Sequence, residues 1–198
     1  RIDDLNNFKD SNNEIATYDF KKSKKLIFSN NETDITNSNV YILTLPTPIN
    51  KKNQPELTNI KKTLKKISCF LKKKDIIIFE STFYPGLTEE ICIPLIEKIS
   101  KLKVNKDFGV GYSPERINPS DNKRKLKNIV KLVSASNIKT LNIINFLYKT
   151  IIKAGTYKVS SIKIAEAAKV IENTQRDINI AFVNHLKCFF DKTNLNSD

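Results

Sequence analysis

Two kinds of apolar pattern alternate along the central part of the chain. Short runs of β-branched and other apolar residues predict four strands, at 40–45, 75–79, 108–112 and 129–133. Between them, apolar residues recur every three or four positions, which predicts helices at 57–71, 91–99 and 137–152. Strands that alternate with helices in this way are typical of an α/β protein with a doubly wound, parallel sheet.

The two ends of the chain have other patterns. Residues 1–39 are polar and rich in asparagine, with one short apolar element at 26–28. From Ser160 onward the spacing predicts a long helix that reaches about Phe190. About 30 helical residues span roughly 45 Å, a length that suits a connector between two domains. The sequence has no signal-peptide core at its start and no apolar run of the roughly 18–20 residues that a membrane-spanning helix needs.

The formal net charge of +13 raises the question of nucleic-acid binding. The lysines, however, are spread along the chain, and clusters such as 72–74 stand at the ends of apolar helical patterns. Aromatic residues are not interleaved with them, as a base-stacking surface would require. We therefore predict no nucleic-acid partner.

The cysteines and the single histidine predict no metal centre. Cys69, Cys92 and Cys188 are odd in number and lack C-x-x-C spacing, so neither a disulfide framework nor a zinc site is expected. His185 stands on the long helix without a Cys, His or carboxylate cluster at ligand spacing, and we interpret it as structural or exposed. Free cysteines fit a reducing compartment, and we expect a cytoplasmic protein without a membrane partner.

Three loops leave the predicted strand ends and carry unusual residues, at 44–50, 80–88 and 112–121. Ligands of doubly wound sheets bind at the carboxyl ends of the strands, so these loops form the predicted site. The second loop combines small hydroxyls with a Pro-Gly turn and the free amides of a helix N-terminus, which suits a phosphate or a polar cofactor. An ordinary strand-to-helix turn with an N-cap would explain the same residues.

The third loop places Glu115 beside Arg116. A carboxylate next to a guanidinium at a strand end could be an acid/base with an anion anchor, or equally a surface ion pair. Of the 34 basic residues only four are arginine. An arginine in such a lysine-rich chain indicates that its position requires the bidentate guanidinium fork, which lysine cannot supply. This argument selects Arg116 and Arg176 as candidate binding residues.

The long helix carries a polar stripe. Lys169 and Asn173 are separated by four positions and therefore share one face, which Glu166 extends. A solvated stripe would have the same pattern. Asn173 is a weak helix former in mid-helix, which favours a functional use instead.

Taken together, four segments resemble one known family. They are VYILTLPTPIN at 40–50, ESTFYPGLTEE at 80–90, GYSPERINP at 111–119 and IKIAEAAKVIENTQRDINIA at 162–181. The chain resembles the nucleotide-sugar 6-dehydrogenases of the UDP-glucose/GDP-mannose dehydrogenase family. It is most similar to the bacterial branch that oxidises UDP-N-acetylglucosamine or UDP-N-acetylmannosamine for surface polysaccharides. Ser120 and Phe83 depart from the pattern of that branch.

The resemblance implies a Rossmann-like sheet that binds NAD. The residues that it implies for the NAD site are Thr44, Leu45, Pro46, Thr47, Ser81 and Thr82. It also implies that Thr82 holds a catalytic water, and that Glu115 contacts the substrate and assists thioester hydrolysis.

The resemblance also assigns the stripe of the long helix. Lys169 and Asn173 are implied to stabilise the oxyanion that forms at C6 of the sugar, an electrostatic role that an ammonium and an amide on one helical face can fulfil. Together with Glu115, Arg116 and Arg176, they are the predicted contacts to the UDP-sugar. The implied reaction oxidises a primary alcohol twice through a cysteine-bound thioester and consumes two NAD⁺.

The resemblance also implies a domain plan. Residues 1–159 would be a partial NAD-binding domain without the first strand and its G-x-G-x-x-G turn, and 160–198 would begin a central, dimer-forming helical domain. The UDP-sugar domain with its nucleophilic cysteine would follow, so the chain as given is expected to be an inactive fragment. Two alternatives stay open: a non-catalytic remnant or interaction fragment of such a gene, and UDP-glucose as the substrate.

Overall fold

The computed structural model describes residues 1–12, 15, 17–23, 25–116 and 126–193. They belong to two compact units, Arg1–Asn37 and Ser38–Asp198. The first unit contains the short helices α1 (Ile2–Asn6) and α2 (Thr17–Lys22) and a 3₁₀ turn at Glu32–Ile35. The apolar element at 26–28 forms no strand.

A five-stranded sheet forms the centre of the second unit. Its strands are β1 (Val40–Leu43), β2 (Ile76–Phe79), β3 (Gly109–Tyr112), β4 (Lys131–Ala135) and β5 (Thr156–Lys158), and their order in the sheet is the order in the chain. The four predicted strands are all present. The fifth was not predicted, because a three-residue strand with polar and aromatic side chains leaves no apolar pattern.

The sheet is mostly parallel, with one reversal. β1 with β2, β2 with β3, and β4 with β5 are parallel pairs, whereas β3 and β4 are antiparallel. The doubly wound parallel pattern therefore holds for the strands that carry the predicted loops. The reversal brings the N-terminal end of β4 to the edge at which β1, β2 and β3 end. Residues at the start of β4 therefore lie near the loops that follow these three strands.

The helices of the second unit, within the described residues, are α3 (Thr58–Ser68), α4 (Ile93–Ser100), α5 (Ile138–Lys149) and α6 (Ile162–Thr193). α3 packs against α4, whereas α5 and α6 contact β3 and β4. The side chain of Asn137 caps α5 by accepting a hydrogen bond from the amide of Thr140 at 2.8 Å. α6 is the long helix that the sequence predicts, and its 32 residues span roughly 48 Å.

The helix predicted after the Pro-Gly turn has two parts. A π-helical turn at Thr88–Cys92 precedes α4. Pro94 is the second residue of α4, has no N–H to donate, and its ring crowds the carbonyl four positions earlier. The wider π turn accommodates both effects, because its hydrogen bonds join residues five apart.

The two strands β2 and β3 are buried on both faces of the sheet. All four residues of β2 are buried, and on one face Ile76 and Ile78 pack with Ile144 and Tyr148 of α5. β3 comes close to α5 on this face because it has glycines there. A methyl group at Gly111 would lie 2.1 Å from Cδ1 of Ile144.

Candidate functional site

The three predicted loops meet at one edge of the sheet. They enclose a cleft of about 470 Å³ beyond the carboxyl ends of β1, β2 and β3. The cleft is lined by Thr44, Leu45, Pro46, Thr47, Glu80, Ser81, Thr82 and Glu115. The structure thus brings together all six residues that the resemblance implies for NAD, with Glu115 beside them. The third loop is described only to residue 116.

Hydrogen bonds from neighbouring elements fix the walls of the cleft. The hydroxyl of Thr47 donates to the backbone carbonyl of Thr82 at 2.8 Å, which ties the first loop to the second. The phenol of Tyr112 donates to the carbonyl of Ser81 at 3.0 Å. Phe83 is buried between Phe79 and Tyr112, with ring centroids 5.3 and 5.7 Å away. Phe83, the unusual residue at this position, is therefore part of the core beneath the site.

A buried hydroxyl in the wall of the cleft has no hydrogen-bond partner in the part of the chain that the structure describes. Ser81 is buried, and among the described residues no group hydrogen-bonds its hydroxyl. Buried hydroxyls are normally satisfied, so an unpaired one in the wall of a cleft fits a polar ligand. The cleft also offers the hydroxyls of Thr44, Thr47 and Thr82. This donor set is compatible with a nicotinamide dinucleotide.

Lys131 enters the site from the reversed strand, and sequence reasoning missed it. Its side chain is 4% exposed, and its ammonium lies 3.3 Å from Glu80 Oε2 and 3.6 Å from Glu115 Oε2. The phenol of Tyr148 donates a hydrogen bond to the other oxygen of Glu80. Burial, and after it the Glu80 carboxylate, raises the pKa of Tyr148 above its usual value. A lysine that follows two apolar residues at a strand start gives no signal of this role.

In the second loop, the donors at the helix N-terminus that could hold a phosphate are occupied by a side chain of the protein itself. The amides of Gly86 and Thr88 donate to the two carboxylate oxygens of Glu166 at 2.6 and 3.0 Å, and the Thr88 hydroxyl donates at 2.7 Å. The acceptor at this helix N-terminus is therefore a carboxyl side chain of α6. Glu166 is fully buried and joins α6 to the loop, so it does not belong to a solvated stripe.

The predicted arginine fork is present, with a partner inside the chain. The guanidinium of Arg116 contacts both carboxylate oxygens of Glu172 at 3.1 to 3.3 Å, and it also donates to the carbonyl of Val130. Arg116 lowers the pKa of Glu172 through the hydrogen bond and its charge. The ion pair connects the residue after Glu115 to α6. A contact from Arg116 to the substrate stays a prediction.

Lys169 faces the protein interior rather than solvent. It is buried, and this burial lowers its pKa, with Glu172 and Glu115 acting in the opposite direction. Asn173 is half-buried one turn later on α6. Arg176 does not line the cleft; it borders a groove along α6, although its charge also lowers the pKa of Lys169.

Metal ligands, cysteines and membrane-spanning helices were also considered in the sequence. Within the described ranges no group of three His, Cys, Asp or Glu side chains could hold a metal ion. All three cysteines are free, and burial raises the pKa of Cys92 to about 12. None of the helices in the described part of the chain is long and apolar enough to cross a membrane.

Comparisons with known proteins agree on one group of enzymes. The sequence model of the UDP-glucose/GDP-mannose dehydrogenase family, NAD binding domain, matches residues 10–152. UDP-N-acetyl-D-glucosamine 6-dehydrogenases of Pseudomonas aeruginosa and Salmonella typhi are 48% and 47% identical over the whole chain. The chain spans about half of their length, 47% in each case.

Solved structures show the same fold. A UDP-D-ManNAc dehydrogenase from Pyrococcus horikoshii superposes with a TM-score of 0.86 at 26% identity, over 98% of this chain and 47% of its own. A GDP-mannose dehydrogenase from Pseudomonas aeruginosa has a TM-score of 0.82 over 92% of this chain and 44% of its own. At 22% identity the second comparison shows the fold alone.

Proposed function

Because the chain belongs to the UDP-glucose/GDP-mannose dehydrogenase family, we propose that the whole protein of which it forms part is an NAD-dependent nucleotide-sugar 6-dehydrogenase. It oxidises the C6 primary alcohol of a UDP-N-acetylhexosamine to the uronic acid, for surface polysaccharide precursors. UDP-N-acetylglucosamine is the first substrate to test, because the two relatives at 48% and 47% identity carry that name.

The cleft at the carboxyl ends of β1, β2 and β3 is the observation that carries the proposal. Its walls unite Thr44–Thr47 with Ser81 and Thr82, and Glu115 closes one side. NAD⁺, when bound, supplies a hydride acceptor for the alcohol. The unpaired hydroxyl of Ser81 and the hydroxyls of the first loop are the groups that would hold it.

Residues of α6 and of the third loop are the ones that we propose to act on the sugar. Lys169 and Asn173 supply an ammonium and an amide donor to the oxyanion at C6, and the partly desolvated ammonium strengthens this interaction. Thr82 positions a water, and Glu115 assists its attack on the thioester. Arg116 and Arg176 are proposed to contact the UDP-sugar, Arg116 through a rearrangement of its pair with Glu172.

The nucleophilic cysteine of this reaction is proposed to lie in a part of the protein outside this chain. A pKa of about 12 keeps the buried Cys92 protonated at neutral pH, and a thiol is a poor nucleophile. Cys69 and Cys188 are exposed and do not line the cleft. The 198 residues alone are therefore proposed to be inactive.

We propose the domain plan and assembly on the same basis. Residues 1–159 belong to the NAD-binding domain, and 160–198 begin a central helical domain through which the protein forms a homodimer in the cytoplasm. Large apolar side chains that are more than half exposed on α6 support such an interface: Ile164, Ile171, Ile178, Ile180, Phe182, Val183 and Phe189.

A substrate comparison tests the proposed function. The full-length protein is incubated with NAD⁺ and, separately, with UDP-N-acetylglucosamine, UDP-N-acetylmannosamine and UDP-glucose, and NADH is followed by absorbance. We expect the highest kcat/KM with UDP-N-acetylglucosamine. A preference for UDP-glucose would replace the substrate assignment, and no NADH from any of the three would overturn the function.

A further inference from the structure

A buried lysine, Lys131, lies between two carboxylates that line the cleft, Glu80 and Glu115. The ammonium of Lys131 has no exposed surface and makes no hydrogen bond of good geometry with any described residue. It is nevertheless at ion-pair distance from both Glu80 and Glu115. The contact is therefore mainly electrostatic.

The topology of the sheet explains how Lys131 reaches the site. Gly111 pairs with Ala135 and Tyr112 with Ser134 in the antiparallel register of β3 and β4. Continuing this register by three residues places Glu115 opposite Lys131. The hydroxyl of Ser113 donates to the carbonyl of Leu132 at 2.7 Å and holds the two segments together beyond the last paired residues.

The two carboxylates are held differently. Glu80 is mostly buried and is fixed on its other oxygen by Tyr148, whose ring also lies 5.4 Å from the lysine ammonium. Glu115 accepts a hydrogen bond from the backbone amide of Arg116 on its other oxygen at 2.6 Å, and its side chain is 39% exposed and lines the cleft. Glu80, Tyr148 and Lys131 thus form the buried part of the cluster. Glu115 is the member that a ligand in the cleft can contact.

A stability role alone explains this arrangement poorly. Removing a lysine ammonium from water is costly and is offset only by close, well-oriented partners. An apolar side chain at this position, with a neutral residue at Glu80, would fill the space without that cost. The cluster instead directs one fixed positive charge at the carboxylate that borders the cleft.

We propose that Lys131 is a positioning residue that holds the Glu115 carboxylate in the cleft, with Glu80 and Tyr148 as its support. The proposal rests on the proposed function, in which Glu115 contacts the sugar and assists thioester hydrolysis. Lys131 itself touches neither substrate nor cofactor. Its contribution is therefore expressed in turnover through Glu115, because misplacement of a catalytic group by about 1 Å costs on the order of 10²-fold.

The experiment compares variants of the full-length protein. Lys131→Met removes the charge, and Lys131→Arg keeps a cation that can reach both carboxylates. Lys158→Met is the matched control, because Lys158 is an exposed lysine of the adjacent strand whose contact is Asn142. We measure kcat, KM for UDP-N-acetylglucosamine, NAD affinity and the thermal midpoint for each. Lys131→Gln replaces the methionine variant should that variant not fold.

We expect Lys131→Met to lower kcat on the order of 10²-fold, with little change in NAD affinity. Lys131→Arg recovers most of the loss. In a Glu115→Gln background the effect of Lys131→Met disappears, because two residues that act through one contact are not additive. A folded Lys131→Met variant with normal kcat, or an undiminished effect in the Glu115→Gln background, overturns the proposal.

A structural readout separates this proposal from the proposed function. Crystal structures of the wild-type and Lys131→Met proteins show whether the Glu115 carboxylate leaves the position beside residue 131, independently of activity. An unmoved carboxylate overturns the proposal for Lys131. Absence of NADH from wild type and Lys158→Met alike overturns the proposed function only.

Discussion

At the scale of single residues, the site depends on charges that are partly removed from water. Lys169 is the clearest example, because burial lowers its pKa while the carboxylates of Glu172 and Glu115 oppose that effect. Such an ammonium interacts more strongly with a developing oxyanion than a solvated one would. The contribution that we propose for Lys169 is therefore concentrated in the transition state.

Lys169→Ala tests this role. We expect the variant of the full-length protein to lose roughly 10²- to 10³-fold in kcat, with NAD affinity close to that of the wild type. An interaction that strengthens in the transition state affects turnover more than ground-state binding. Lys163→Ala is the control, since Lys163 is exposed on the same helix and pairs with Glu90. Normal turnover of Lys169→Ala would remove this residue from the chemistry.

Glu166 has a structural role that should be visible in the pH dependence of stability. Burial outweighs the hydrogen bonds from Gly86 and Thr88 and raises the pKa of Glu166 above 4.5. A carboxyl group with a raised folded-state pKa stabilises the fold fully below its unfolded pKa, and this contribution is lost as pH rises through the folded pKa.

Glu166→Gln removes this titration. The free energy of unfolding of wild type minus that of the variant should therefore decrease as pH rises from about 4.5 toward neutrality. Denaturant unfolding of both full-length proteins at several pH values measures the difference. An increase with pH would mean that the fold prefers the carboxylate.

The sequence identified those site residues that follow strands, such as Thr82 and Glu115, because strand ends in a parallel sheet converge wherever the strands are. It missed Lys131 and misjudged Glu166. The partner of Lys131 depends on the direction of β4, and that of Glu166 on the docking of α6 against the second loop. Both are tertiary facts that no local pattern of apolar and polar residues encodes.

At the scale of elements, the close approach of β3 to α5 fixes the strand that leads to Glu115. Gly109 and Gly111 leave room for Thr140 and Ile144, where a methyl group would lie 2.4 and 2.1 Å from the nearest atom. Since the four residues of β3 are buried and its neighbours are β2 and β4, the strand has no free side toward which to move.

Gly111→Ala should therefore destabilise the protein by about 1–3 kcal/mol through overpacking. Ile144→Val removes the atom that the new methyl group meets first and should restore part of the loss in the double variant. Denaturant unfolding of the two single variants and the double variant measures the coupling. Additive effects would show that Ile144 does not limit this position.

The helices were easier to predict than the strand directions. α5 has an asparagine cap and a helical apolar spacing, and α6 has a pattern long enough to be read without tertiary information. β5 is three residues long, and the antiparallel pairing of β4 has no sequence signal in a chain of alternating strands and helices. The sequence did not predict the π turn before Pro94, although the missing N–H of Pro94 explains it once the structure is known.

At the scale of the whole molecule, the exposed side of α6 carries several large apolar side chains. Phe182 is 61% exposed and Phe189 is 56% exposed, and Ile178 lies one turn before Phe182. Contiguous apolar surface of this kind is typical of an interface. The proposed homodimer would cover it.

Phe182→Asp tests the interface in the full-length protein. A charge in an apolar interface is costly, so the sedimentation coefficient should fall from the dimer toward the monomer. Asp191→Lys is a control substitution of charge on an exposed part of the same helix. An unchanged dimer would place the interface elsewhere, and a monomeric wild type would contradict the proposed assembly.

The number of NADH molecules formed per sugar tests the central claim most directly. The full-length protein is given a limiting amount of UDP-N-acetylglucosamine with excess NAD⁺, and the reaction is followed to completion. Oxidation of the C6 alcohol to the acid predicts two NADH per UDP-sugar and a uronic acid product. A single NADH with an aldehyde product, or no NADH, would contradict the account.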